Sequence, residues 1–267
     1  MIVVLLPAYN EEESLPILLP KIEQFFKEHG GEGVIVVCDD GSSDKTAAIL
    51  ASYRASVPLE VITHKINRGL GEASRDLFER AAELLKDDDV IIRMDCDDTH
   101  DPSFMHRMKV KLDEGYDVVI ASRFQEGGGQ KGVNAYRAFV SRGANLFMKV
   151  LFPISGVQEY SCGFRAYRAG IIRRAVRVFG NDFIQLKGLG FTCTLEKLVK
   201  LRMLGARFAE VPFVLRYDRK LSASKMISSL TTVGYLTMAL LYHWPWGGWR
   251  TNARYRAAAR ETRAAQS

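Results

Sequence analysis

Cysteine is scarce: Cys38, Cys96, Cys162 and Cys193 are the only four in 267 residues, with no CxxC pair and no repeated spacing. That excludes a thiolate zinc site and a disulfide framework, and a reducing compartment is the expected setting. The opening run Ile2-Val3-Val4-Leu5-Leu6 has no basic flank and no small-residue cleavage site, so it reads as a first strand rather than a secretory leader. Internal repeats and low-complexity linkers are also missing, so one main core is expected. Histidine is thin as well. His64, His100, His106 and His243 form no constellation with a nucleophilic Ser or Cys, which leaves a hydrolase triad unsupported. His100 reads as a hydrogen-bonding support for the acidic run before it, and His106 as a surface residue.

What is present suits a large α/β domain: 47% hydrophobic, 25% charged and 10% aromatic residues, a composition that excludes disorder. From residue 1 to about 120, short β-branched runs alternate with Asp/Asn/Gly turns and amphipathic stretches, which is βαβ patterning. The spacing predicts strands at 2–6, 34–38, 59–63, 89–94 and 117–121, with helices near 12–28, 44–54, 70–85 and 102–113. Beyond that, Gln125–Gly132 reads as a flexible loop, Tyr136–Phe152 and Phe191–Leu204 as helices, and Arg207–Val214 as a strand. The sheet should be mostly parallel, with ligands at the carboxyl ends of its strands.

Three polar clusters fall at those ends: Pro7-Ala8-Tyr9-Asn10-Glu11, Asp39-Asp40-Gly41-Ser42-Ser43-Asp44, and Asp95-Cys96-Asp97-Asp98-Thr99-His100-Asp101. Asp95 and Asp97, one residue apart, can converge on one hard cation and leave room for phosphate oxygens, as magnesium requires. Asp39 and Asp40 are placed to accept hydrogen bonds from a base or ribose, while Ser43 or Asp44 can simply cap the next helix. The letters Asp95-Cys96-Asp97-Asp98-Thr99 also fit the DxDxT signature of haloacid-dehalogenase-like phosphatases, with Asp95 as nucleophile and Asp97 as acid/base. That motif normally closes a domain's first strand, whereas three βα units precede it here.

The net charge is +6, and five arginines stand against Glu261 alone from Arg250 onward. Such a tail suits an anionic membrane surface, and no nucleic-acid partner is expected. Met226–Trp249 carries no formal charge, but its Ser, Thr and Gly dilute it. Met226, Ile227, Leu230 and Val233 share a face, and Trp244, Trp246 and Trp249 suit the headgroup level, so an interfacial helix is expected rather than a span.

Taken together, PAYNE (7–11), DDGSSDKT (39–46), NRGLGEA (67–73), DCDDTHDP (95–102), ASRF (121–124), YRAFVSRGANLF (136–147), SCGFRAYR (161–168) and VPFVLRYDRKLSASK (211–225) resemble, in order, family 2 glycosyltransferases of the dolichol-phosphate mannosyltransferase branch. The resemblance covers roughly residues 1 to 226. It implies a GT-A, Rossmann-like α/β fold: a mostly parallel sheet flanked by helices, with a C-terminal amphipathic helical appendage. The expected division is 1–225 for the catalytic domain (1–122 nucleotide-sugar half, 123–225 acceptor half) and 226–267 for the interfacial helix and basic tail.

The implied activity is inverting transfer of a mannose- or glucose-type sugar, from a GDP-mannose- or UDP-glucose-type donor to a polyprenyl or dolichyl phosphate. It would run with Mg²⁺ or Mn²⁺ on the cytoplasmic face of a membrane. By the same resemblance Pro7, Tyr9, Glu11, Asp39 and Asp40 hold the nucleoside, Asp95, Asp97 and Thr99 the cation, and Arg123, Arg137 and Arg219 the acceptor or leaving phosphates. Lys187, before Gly188, matches in the same phosphate-contacting role, and Lys187 and Lys225 are counted with the cofactor-binding residues. A lipid monophosphate is already an anionic nucleophile and needs no base, so positioning and charge neutralisation carry the reaction. The alternative within the fold, a glycan or other hydroxyl acceptor, needs a carboxylate base, and Glu159 is the candidate. The chain departs from the branch at Glu159-Tyr160-Ser161-Cys162 and at Ser222, both on the acceptor side.

Overall fold

The computed structural model describes residues 1–221, 228–243, 260 and 264. A seven-stranded sheet is built from β1 (Ile2–Ala8), β2 (Gly33–Asp39), β3 (Leu59–Thr63), β4 (Val90–Arg93), β5 (Val118–Ser122), β7 (Arg165–Arg168) and β8 (Phe208–Pro212), in the order β3-β2-β1-β4-β7-β5-β8. β6 (Gly129–Lys131) and β9 (Val214–Arg216) pair separately. The helices are α1 (Leu15–His29), α2 (Thr46–Ser52), α3 (Leu70–Leu84), α4 (Phe104–Asp113), α5 (Ala135–Leu151), α6 (Ala169–Phe179), α7 (Thr192–Met203) and α8 (Ser228–Tyr242), with 3-10 turns at Gly180–Ile184 and Tyr217–Arg219.

β1 is the pivot. Val3, Val4, Leu5 and Leu6 are all fully buried, as a parallel strand covered on both faces must be. Val3 and Leu5 join the core under α3, α6 and α7, while Val4 and Leu6 join the one under α1 and α4. β1 pairs in parallel with β2 on one side and β4 on the other, so the chain reverses direction across the sheet there. The crevice at that switch point, beyond the carboxyl ends of β1, β2 and β4, is where an open α/β sheet binds ligands.

The first half follows the sequence expectation closely; the second half differs in three places. β7 lies antiparallel between β4 and β5, a strand that its two arginines disguise. The segment read as the loop Gln125–Gly132 contains β6. The strand read at Arg207–Val214 divides into β8 and β9 around buried Phe213. In α8, Thr231, Gly234, Met238 and Tyr242 are buried and face α7, while Val233 on the stripe read as interfacial is exposed. Met226, Ile227, the three tryptophans and most of the basic tail lie outside the described residues.

Under the sheet, Lys197 of α7 is buried with its ammonium 4.6 Å from the Phe78 ring. Burial pushes its pKa down from 10.5 to about 7, against the opposing pull of Cys193 and with Arg93 and Arg165 nearby. The unfolded chain keeps this proton up to the ordinary value, while the folded chain releases it near 7, so stability should rise with pH between the two. Lys197→Met should flatten that slope and stabilise the fold at neutral pH by on the order of 2–4 kcal/mol. Denaturant unfolding of both proteins at neutral and alkaline pH checks this.

Candidate active site

The loops after β1 and β2 are stitched together. Asn10, in the left-handed region at φ 52°, donates its amide to Ser42 Oγ (2.9 Å) and accepts from the Ser43 amide (2.8 Å). The Glu11 amide donates to Thr46 Oγ1 (2.8 Å), and Asp44 accepts from the Thr46 amide (2.9 Å), so Asp44 takes the capping role. Pro7 and Tyr9 line the strand end half-buried, and Glu11 is buried.

Asp39 is buried and accepts from the Ser42 amide (3.0 Å). Asp40, expected beside it at the nucleoside, is committed elsewhere. Its carboxylate accepts from the Arg68 and Gly69 amides (2.8 Å each) and meets His64 Nδ1 at 2.6 Å. His64 also meets Asp76 of α3 at 2.8 Å, so Asp40 and His64 fasten the loop between β3 and α3.

The acidic run after β4 is matched, carboxylate by carboxylate, with cations. Arg93 lies fully within the sheet, and its guanidinium reaches Asp95 at 2.6 Å. A Cβ on residue 163 would fall 1.8 Å from that guanidinium, so only glycine admits it. His100, stacked on Phe164, accepts the Asp95 amide on Nδ1 (3.0 Å), which leaves Nε2 protonated and 3.7 Å from the Asp95 carboxylate. Burial alone would push the Asp95 carboxyl up, but the charge of Arg93, with His100 and Lys220, holds it below the usual range. Burial pushes His100 itself below its ordinary value, against the pull of Asp95.

Asp97 accepts from the Thr99 hydroxyl (2.6 Å) on one oxygen and from Lys220 on the other. Thr99, expected as a ligand, is buried and spends its hydroxyl on orienting Asp97. Asp98, at φ 57°, turns away to Lys21 (2.6 Å), and Asp101 pairs with Arg219 (3.2 Å).

Among the described residues no group of three or more His, Cys, Asp or Glu side chains could hold a metal. Asp95 and Asp97 do fit a hard cation as a partial set: two carboxylates one residue apart, each held by a cationic side chain at a partly open strand end, which leaves other ligand positions open. Magnesium, which keeps waters and binds through one or two carboxylates plus phosphate, suits that number.

In the second half of the chain a polar network centres on Arg123, just after β5. It forks onto Glu159 (2.7 and 2.9 Å) and reaches Ser161 (2.7 Å), Gln130 (3.3 Å) and Ser141 (3.4 Å). Glu159 has no exposed surface and also accepts from the Ser161 and Cys162 amides (3.0 Å each) and the Ser161 hydroxyl (2.7 Å). Burial would raise its pKa, but Arg123 and Ser161 hold it below the usual carboxylate range. A carboxylate so enclosed cannot serve as the base that the hydroxyl-acceptor alternative requires. It is the clamp that aims Arg123.

Arg123, Phe124, Gly129, Gln130, Ser141 and Arg142 line a cleft between β5, β6 and α5. Arg137 is exposed and bonds Tyr217 Oη (3.0 Å), while Lys187 pairs with Glu72 (2.7 Å). The Lys187 loop can lie on α3 because Gly71 has no Cβ, which would meet the Lys187 backbone at 2.3 Å. Lys225 lies outside the described residues. Sequence reasoning missed Arg93, Gly163 and Lys220; the first two are visible only once β4 and β7 are known to be neighbours.

A sheet with this switch point, a nucleoside-type strand edge and an acidic run beside it define an α/β transferase of nucleotide-linked groups. The chain belongs to glycosyl transferase family 2, whose profile matches residues 3–175. It is 29% identical over 229 residues to polyprenol monophosphomannose synthase of Mycolicibacterium smegmatis, covering 85% of this chain and 81% of that one. Undecaprenyl-phosphate mannosyltransferase of Micrococcus luteus is 30% identical over 226 residues, covering 84% and 87%. In fold it resembles glucosyl-3-phosphoglycerate synthase from Mycobacterium tuberculosis, solved with Mn²⁺, UDP and phosphoglyceric acid, at a TM-score of 0.59 and 18% identity, covering 90% of this chain and 77% of that one. Its fold is thus GT-A, and the phosphatase reading of Asp95–Thr99 falls away.

Proposed function

We propose that the protein is an inverting, divalent-cation-dependent glycosyltransferase that moves a mannose- or glucose-type sugar from a nucleotide donor to a polyprenyl monophosphate at a membrane surface. The observation that carries this is the Arg123 cleft and its surroundings: a guanidinium aimed by a buried carboxylate, beside a helix with a bare apolar face. On α5, Tyr136 and Phe139 are each 76% exposed, Val150 70% and Leu146 62%. An apolar face that large on a helix marks an interaction surface, and one beside a phosphate-type site suits a phosphorylated lipid. Among the described residues no helix is long and apolar enough to cross a membrane. α8 adds exposed Val233, Leu236 and Leu240. The relatives named above, with polyprenol and undecaprenyl phosphate in their names, support the same acceptor class.

In this reading Pro7, Tyr9, Glu11 and Asp39 hold the nucleoside. Asp95 and Asp97 would hold Mg²⁺ or Mn²⁺, which when bound neutralises charge on the diphosphate. Arg123, with Arg137 and Arg219 at the margins, orients the lipid phosphate. One of its oxygens forms a bond to the anomeric carbon as the bond to the nucleoside diphosphate breaks, and the configuration inverts. No proton leaves the nucleophile, so the absence of a usable base at Glu159 agrees with the chemistry. Arginine suits the task because its planar fork can present two N–H groups to phosphate oxygens.

The test offers labelled sugar nucleotides with Mg²⁺ to two lipids of equal chain length, a polyprenyl monophosphate and the polyprenyl alcohol. Label should enter the organic phase with the phosphate alone. Transfer to the alcohol, or to a soluble glycan only, would overturn the reading.

A further inference from the structure

One charge near the acidic run is unexplained by the reaction just described. Lys220 follows the 3-10 turn Tyr217–Arg219, and its ammonium rests on the Asp97 oxygen that Thr99 leaves open. Both oxygens of Asp97 are thereby engaged. Lys220 is no surface tether, since its side chain is only 11% exposed. The segment it belongs to is tied to the acidic run twice more: the Arg216 amide donates to the Thr99 carbonyl (3.1 Å), and Arg219 pairs with Asp101 (3.2 Å). Its far side touches the acceptor half, where Arg137 of α5 donates to Tyr217 Oη (3.0 Å) and lies over its ring.

We propose that Lys220 and the divalent cation exchange at Asp97, so that loading the donor side releases the 216–220 segment toward the acceptor side. This rests on the reading of Asp97 as a cation ligand. The physical basis is simple competition. An ammonium and a divalent ion a few ångströms apart on one carboxylate repel each other, and that repulsion is weakly screened at short range in a partly buried site. The ion, bridged by diphosphate, gains more from Asp97 than Lys220 does, and Lys220 swings out with its turn. Freed, Lys220 and Arg219 become two mobile cations at the mouth of the site. The exchange makes cation affinity a property of the acceptor-side segment, and by linkage makes that segment's position a property of cation occupancy.

Mn²⁺ titration followed by its free-ion electron paramagnetic resonance signal, with nucleoside diphosphate present, tests the exchange on wild type, Lys220→Met and Lys220→Arg. Lys220→Met should bind Mn²⁺ about tenfold or more tightly than wild type, while Lys220→Arg, which keeps the charge, should stay near wild type. Equal or weaker binding in Lys220→Met overturns the exchange while leaving the cation site standing. No Mn²⁺ binding by wild type or by Lys220→Met would remove the cation reading and the exchange with it. Amide hydrogen exchange on wild type supplies a readout that needs no variant. Protection at residues 214–220 should fall when Mn²⁺ and nucleoside diphosphate are added together; unchanged or increased protection contradicts release.

Discussion

Asp97→Ala is expected to lower transfer by about 10³-fold or more, the scale on which removing a preorganised charge-stabilising group acts. Asp97 meets Lys220 of the 216–220 segment on one oxygen and is oriented by the neighbouring Thr99 hydroxyl on the other. Alanine removes the carboxylate and leaves the Lys220 ammonium facing the donor pocket. The loss should appear in turnover measured at saturating Mn²⁺ and donor, with the melting temperature close to wild type. Thr99→Val, which removes only the orienting hydroxyl, should give a smaller loss of about tenfold, since it takes one hydrogen bond from Asp97 and leaves the carboxylate in place. Full turnover in Asp97→Ala would remove the cation site from this position.

Arg123→Ala is expected to act on two properties at once. It strands Glu159, fully buried and ionised, without its counter-charge, and breaking a buried pair from one side destabilises by about 3–5 kcal/mol. For a chain of this size, that is a fall in melting temperature of roughly 10 °C. The double variant Arg123→Met with Glu159→Gln removes both charges and should recover most of the stability, because a pair deleted together leaves no orphan. It should recover none of the transfer to polyprenyl phosphate, since the guanidinium proposed to orient the acceptor is gone. Thermal unfolding and transfer assays on the single and double variants separate the two effects. Stability unchanged in Arg123→Ala would mean that Glu159 is satisfied by Ser161 and the backbone alone.

Much of the edge formed by the carboxyl ends of β1, β2 and β4 was legible in the sequence. β1 to β5 are runs of Val and Ile closed by polar residues, and in a parallel sheet such residues converge at one edge, so Pro7, Asp39 and Asp95 could be placed together without coordinates. The acceptor side was less legible for a definite reason. A charged residue in a sequence reads as surface, yet Arg93, Arg165, Lys197 and Glu159 are buried; Arg93 pairs with nearby Asp95, while the other three rest on partners far along the chain, the Thr194 carbonyl, the Phe78 ring and Arg123. β7 escaped notice because two of its four residues are arginines, of which Arg165 points into the core and bonds the Thr194 carbonyl. Asp40 and Thr99 were placed on the correct edge, but their orientation depends on His64, the Arg68 amide and Asp97, which spacing alone does not reveal. Glu159 was named as a possible base because it is an acid in the acceptor half; its fivefold enclosure is a tertiary fact.

The proposed function has one pocket couple a nucleotide sugar, a divalent cation and a lipid phosphate. It is tested most directly by measuring nucleoside diphosphate release and glycolipid formation in the same reaction. Both should appear in equal amounts, only when donor, Mg²⁺ or Mn²⁺ and polyprenyl phosphate are all present, and both should vanish on chelation. Release that proceeds equally without the lipid phosphate, or that survives chelation, would contradict it.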